Sequence, residues 1–471
     1  MTPSLEGFLV CGVLLLVGHA LGSPVLVALM ASLALGSTAF ASLSSLGGSS
    51  PLIYTLFSII LIAKLVLRPG GLRDVHAELV RHPISVIILL LVVYTAGTAL
   101  VLPRLFQGDH SAIVPVNGAP MEVPLAPVSG NITQPAYFAL GALTCITLCI
   151  ALREPGALMT IRRAFFAWVV LNGALGILDL LGKAAGAGDV LLPIRTANYS
   201  LLTDAEQSGF SRIAGGHPEA SSFAAAMFAG LAFLATYWRV TQQRVVFVLT
   251  MIAIILLLLS TSTTAYACVG AYAALLGASA GLSLLKGHIR RTDLILAGTV
   301  LVGVTACLGI YLVDDTAFAD AQRLFETTVL TKSQSASAIE RNYFNALSLQ
   351  TFFDTGGLGI GMGSSRASNW LIAVVSQIGI IGATLQLVLV GVLLRPPPRS
   401  ARVDVGLLAL HEGARAAGLA SLFGNLVSGG SADPGVLFFI CLATVISCRD
   451  ALAVQSPANL PRLPASRPQA I

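Results

Sequence analysis

The sequence predicts an all-α fold: a polytopic helical membrane protein of about 12–13 transmembrane helices with two large outer loops. Three observations predict it: the composition, a train of apolar runs of spanning length, and basic residues confined to every second connection. Of 471 residues, 55% are hydrophobic and 10% charged, and the mean hydropathy is +0.85. Soluble chains carry about 25% charged residues, and no soluble fold covers so much apolar surface with so few charges. In lipid, a helix of roughly 20 apolar residues satisfies its own backbone hydrogen bonds.

Apolar runs place the spans at 7–21, 24–41, 51–67, 83–102, 135–152, 160–182, 220–238, 243–260, 263–285, 292–313, 369–394, 403–427 and 434–449. The first is short and the twelfth poorly apolar, which gives twelve or thirteen. Lys and Arg set the orientation. One set of connections is short and basic. It holds Arg68, Arg73 and Arg81; Arg153, Arg162 and Arg163; Arg239 and Arg244; Lys286, Arg290 and Arg291; and Arg395, Arg399 and Arg402. This set reads as cytoplasmic. The connections 103–134, 183–219 and 314–368 alternate with it and face outward. Residues 1–449 then form one transmembrane domain, and 450–471 a disordered cytoplasmic tail. With thirteen spans the N-terminus faces out, with twelve it faces in. No Lys or Arg precedes Lys64, so no secretory leader is expected.

A net charge of +5 without a basic stripe or basic–aromatic interleaving predicts no nucleic-acid partner. The seven cysteines lie in apolar stretches and read as small apolar residues rather than metal ligands or disulfides. The Asp179–Lys183 and Glu412–Arg415 spacings suit ion pairs near or within spans.

Chemistry is therefore sought in the outer loops. The first ends in Ser211-Arg212-Ile213-Ala214-Gly215-Gly216-His217-Pro218-Glu219, which reads as a sharp glycine turn leading into a helix. A helix N-terminus favours an anion, and Arg212 adds charge to the same place. Glu219 has two readings, a first-turn acid complementing the helix dipole or a general base at the membrane edge. His217 reads as a cap or loop contact. In the second loop, 317–330 has the pattern of an interfacial helix. Beyond Arg341, residues 354–366 alternate glycine with other residues. They form either a backbone cradle for phosphate or a tight re-entrant turn.

The stretches "RIAGGHPEASSFAA", "STSTTAYACVGAY" and "RNYFNALSLQTFFDTGGLGIGMGSSRASNWLIAVVSQIGIIG" resemble the Wzy-type polysaccharide polymerases of the O-antigen polymerase and ligase superfamily, over roughly 195–395. The resemblance implies a glycosyltransferase-C-like fold in the bacterial inner membrane, with the active site facing the periplasm. It implies transfer of a growing undecaprenyl-diphosphate-linked glycan onto a lipid-linked repeat unit, without metal or cofactor. The implied partners are undecaprenyl-diphosphate-linked oligosaccharide, membrane lipids and a chain-length regulator. Carried over by position, Arg212 and Arg341 bind diphosphate, Arg195, Arg366 and His217 contribute to substrate binding, and Glu219 is the base. Related ligases are expected to carry a histidine in the large outer loop, and 314–368 has none. This favours polymerase over ligase. A transporter without chemistry is the reading from a different class; clustered loop charges and the lack of visible paired halves weigh against it.

Overall fold

Apolar runs bounded by serine, glycine and proline become helices because only internally bonded backbone survives in lipid. The computed structural model describes residues 2–43, 48–116, 119–199, 201–203, 206–207, 210–285, 295, 335–398 and 404–454. Its helices are α1 (Leu5–Ala20), α2 (Pro24–Ala31), α3 (Ile53–Leu67), α4 (Gly71–Arg81), α5 (Pro83–Leu105), α6 (Gly130–Ala151), α7 (Ala157–Ala184), α8 (Ala220–Thr241), α9 (Arg244–Leu259), α10 (Thr263–Leu285), α11 (Ala336–Asp354), α12 (Trp370–Leu394), α13 (Val405–Ser428) and α14 (Val436–Val454). Among the described residues strands are confined to short pairs, the longest being β3 (Ser111–Val116) with β4 (Ala119–Pro124), antiparallel from Ser111 opposite Pro124. The protein is an all-α polytopic membrane protein. Among the described residues seven helices are long and apolar enough to cross a membrane, and the pair α3–α4, bent by 101°, makes up to eight. Three shorter apolar helices, Leu5–Ala20, Pro24–Ala34 and Arg244–Leu259, accompany them. The expected span 292–313 and interfacial helix 317–330 lie outside the described residues, as does the expected tail beyond Val454. Residues 450–454 belong to α14 and are helical rather than disordered.

The central helix is α8, which packs along α13; α13 packs on α14, and α14 on α6. Aromatic rings fill the seam, with Phe165 stacked on Phe233 at 4.7 Å between centroids. The six cysteines among the described residues are buried and unpaired.

Contacts between connections sort them onto two faces. On one, Arg68 bonds Glu154 at 3.1 Å, Arg81 bonds Asp450 at 3.1 Å, and Arg163 donates to the Leu21 carbonyl at 3.3 Å. This basic face gathers the connections rich in arginine. On the other, the Arg366 N–H donates to the Ile113 carbonyl at 2.9 Å, and Ser431 to Gln134 at 2.7 Å. Ser37 donates to the Gly216 carbonyl at 2.8 Å. This loop face carries every candidate site residue.

Two spans depart from plain helices. The expected span 24–41 is helical only to Ala31, continues as a 3-10 turn Ser32–Ala34, and then runs extended to β2 (Ala41–Ser42), paired with β1 (Thr2–Pro3). Its open backbone is tied to later loops: Thr38 Oγ1 donates to the Ile194 carbonyl at 2.7 Å and the Ala39 N–H to Thr196 Oγ1 at 2.9 Å. Non-helical backbone at such depth persists only where protein satisfies it. The second is α12, broken at Gly379 (φ 65°, ψ −171°). There the Ile360 and Gly361 N–H groups bond the Ser376 and Gln377 carbonyls at 2.9 Å each, and the Ile380 N–H bonds the Gly357 carbonyl at 2.9 Å. The glycine-rich stretch thus mends the broken helix.

Candidate active site on the loop face

The turn before α8 is built around a buried carboxylate. Asp179, near the end of α7, is 1% exposed and accepts from the Ala214 and Gly215 N–H groups at 2.8 and 3.0 Å. Gly215 takes φ +53°, which aims both donors at it. The anion expected at this glycine turn is therefore the chain's own. Lys183 bonds Asp179 at 3.1 Å and spends its other donors on the Thr203 and Arg212 carbonyls, at 2.7 Å each.

Arg195, expected to contribute to substrate binding, belongs to the same knot. Its side chain is fully buried, ion-paired to Asp189, 3.7 Å from Asp179, and bonded to the Gly215 carbonyl at 2.6 Å. The network binds 183–219 to the end of α7 and engages both terminal nitrogens of the guanidinium, leaving its buried Nε unpartnered. His217 is likewise enclosed, as a loop contact. It is 6% exposed, bonds Asn172 at 3.1 Å and stands edge-on to Phe223. Burial, and then the Arg195 charge, lower its imidazole to about 4. His217 is thus neutral when folded, and its Nε2 is engaged by Asn172. Because the folded value lies below the free histidine value of about 6.5, its stabilising contribution is complete above pH 6.5. It falls as pH drops toward 4. In His217→Gln, the midpoint of thermal unfolding between pH 4 and 6.5 is expected to lose part of the acid sensitivity of the wild type.

Arg212 is different. It is half-buried, and its Nε is enclosed without a hydrogen-bond partner. Burial holds the guanidinium below the usual arginine range; the Glu219 carboxylate raises it, the Arg341 charge lowers it further and the Tyr266 hydroxyl raises it. It stays protonated regardless. Arg212, Glu219, Tyr266 and Arg341 thus share one electrostatic neighbourhood, although they come from the α8 entrance, α10 and α11. Glu219 is the N-cap of α8 in extended conformation, but its side chain makes no cap bond to the helix. It accepts instead from Ser221 Oγ. Among the described residues no cation lies in ion-pair contact with it.

Arg341 is half-buried on α11, one turn before Asn345, which shares its face and accepts from the Ser368 N–H at 2.8 Å. That bond brings the stretch holding Arg366 beside the Arg341 face. Arg366 itself is exposed, and its side chain lies against Gly430. The glycine stretch 356–363 is the re-entrant turn, not a phosphate cradle. Gly359, Gly361 and Gly363 have φ of +78°, +91° and +84°. The Gly359 N–H bonds Thr355 Oγ1 at 3.1 Å and the Gly363 N–H bonds Gln377 Oε1 at 3.0 Å. With Ile360 and Gly361 engaged by α12, these donors are unavailable to a ligand.

At the α9–α10 turn, Thr261 Oγ1 and Ser262 Oγ are buried without partners, and Thr261 has φ +47°. The Tyr266 N–H bonds the Ser262 carbonyl at 3.1 Å, so this turn stands one helical turn from Tyr266. The residue-by-residue reading of the sequence singles out none of Tyr266, Asn345, Asp189 and Asn172. The Ser262 and Tyr266 spacing, one helical turn, was the available signal; nothing in the sequence marked the other three. His411 and Arg415 bond Glu412 at 3.2 Å each, so the charges within α13 satisfy one another.

No family model matches the chain, and no curated protein matches its sequence.

Proposed function

We propose that this protein is a metal-independent membrane glycosyltransferase, a polymerase of bacterial surface polysaccharide. It transfers a growing undecaprenyl-diphosphate-linked glycan onto a lipid-linked oligosaccharide repeat unit. The observation that carries the reading is that Arg212, enclosed with its Nε unpartnered, is within electrostatic reach of both Arg341 and Glu219. Two arginines that converge on one place suit an anion of more than one charge, and a diphosphate leaving group is such an anion. A carboxylate without an ion-pair partner among the described residues suits removal of the acceptor hydroxyl proton. In this reaction the acceptor oxygen forms a bond to the anomeric carbon of the donor, the bond from that carbon to the diphosphate oxygen breaks, and the proton passes to Glu219. The positive-inside rule, applied to the arginine-rich face, supports a site on the periplasmic side of the inner membrane.

A deletion strain is expected to accumulate single lipid-linked repeat units on the periplasmic face, read by chain-length analysis of extracted lipid-linked glycan. Single units confined to the cytoplasmic face would mean a flippase. Full-length lipid-linked polymer without transfer would mean a ligase.

A further inference from the structure

On the basic face, far from the site above, a groove of about 300 Å³ opens between α5, α12 and α14. Its walls are apolar: Ile84, Ile87, Val388, Val392 and Ile446. Val388 is 39% exposed, so the groove is open to the surroundings of the bundle. At its mouth stand Arg395, the C-cap of α12, and Arg449, in the last turns of α14. Arg449 feels Arg395 and Arg415 as like charges and Asp450 as an opposite one. The nearby acids are already engaged. Asp450 binds Arg81 and His82 at 3.1 and 3.0 Å, and Glu412 binds Arg415 at 3.2 Å. Arg449 donates to the Pro396 carbonyl, which fixes it beside the end of α12. Neither Arg395 nor Arg449 has a carboxylate in ion-pair contact among the described residues.

An apolar slot of this kind, at the end of three spanning helices and closed by two arginines, with the one acid in its lining, Asp450, already paired to Arg81 and His82, has the chemistry of a lipid: chain below, anionic head above. We propose that the groove holds an acidic phospholipid of the cytoplasmic leaflet, its phosphate between Arg395 and Arg449 and an acyl chain along Ile87, Val388 and Val392. Arginine suits the task because its planar fork meets two phosphate oxygens at once. A phospholipid so held would join α5, α12 and α14 at their cytoplasmic ends.

The test uses the purified full-length protein, delipidated and titrated in detergent with phosphatidylglycerol or phosphatidylcholine, with bound lipid counted by native mass spectrometry. Wild type is expected to bind phosphatidylglycerol at least about tenfold more tightly than phosphatidylcholine, as two basic groups near a headgroup allow. The pair Arg395→Ala and Arg449→Ala is expected to erase that preference, and Arg395→Lys with Arg449→Lys to keep most of it. Val388→Trp, which fills the slot and leaves the arginines in place, is expected to lower binding of both lipids. Equal affinity of the wild type for the two lipids would overturn the proposal. Undiminished phosphatidylglycerol binding by the alanine pair or by Val388→Trp would place the lipid elsewhere and overturn it too. A dimer of the wild type that Val388→Trp dissociates would assign the groove to a second copy of the chain instead.

Discussion

Arg212→Ala and Arg341→Ala are each expected to abolish polymer while the protein still reaches the membrane at normal level. A lone guanidinium near lipid holds a diphosphate poorly, and the loss of either leaves the site with half the positive charge and one bidentate fork instead of two. The structure adds a reason for Arg212 to be the more sensitive. Its Nε is enclosed without a partner, so the group is already desolvated and needs no further drying to bind an anion. Arg→Lys at either position is expected to restore only part of the output, because an ammonium is a point charge where a fork is required. The measurement is polymer length and amount from a complemented deletion strain, with membrane-inserted protein quantified alongside. Full polymer from both lysine variants would rule out the shared site, since anchoring the loop at the interface is a task lysine performs nearly as well.

Glu219→Gln is expected to lower polymer output by about 10²-fold or more, the usual worth of a positioned acid–base group. Glutamine keeps the shape and can still accept from Ser221, so the α8 entrance is retained. A purely electrostatic role at the helix start predicts something else: retained activity and a stability change under about 1 kcal/mol. That role is already weakened by geometry, because the carboxylate makes no bond to the N–H groups it would cap. Single-turnover assays with a defined lipid-linked repeat distinguish the two, and near-wild-type turnover would remove Glu219 from the chemistry.

Much of the fold was legible because span length and charge asymmetry are coarse properties that survive any packing. The runs 83–102, 135–152, 160–182, 220–238 and 369–394 became long helices with ends shifted by a few residues. The run 24–41 did not, since composition alone does not distinguish an apolar helix from an apolar extended segment. What decides between them is whether partners exist for open backbone, and here the partners lie at 194–197 and 216, far along the chain. The same blindness affected the site. Arg195 and Arg212 look alike in sequence, but only Arg195 meets Asp179 and Asp189, through a fold of the loop that spacing does not announce. His217 reads as a cap or loop contact, but nothing near it in sequence shows that Asn172 and Phe223 are what enclose it. For the glycine stretch the sequence leaves two alternatives open. The choice between them rests on Gly379, whose break in α12 supplies the acceptors.

The extended segment after α2 has a consequence for how the chain is made. Ser37 donates to a carbonyl 179 residues later and Thr38 to one 156 residues later. A ribosome emits residues in order, so when residues 35–41 are synthesised these partners have yet to follow. The segment therefore reaches its final pairing only once α7 and the loop after it have emerged. The order of assembly is thereby fixed: the first hairpin is synthesised first and completed only after the site it supports.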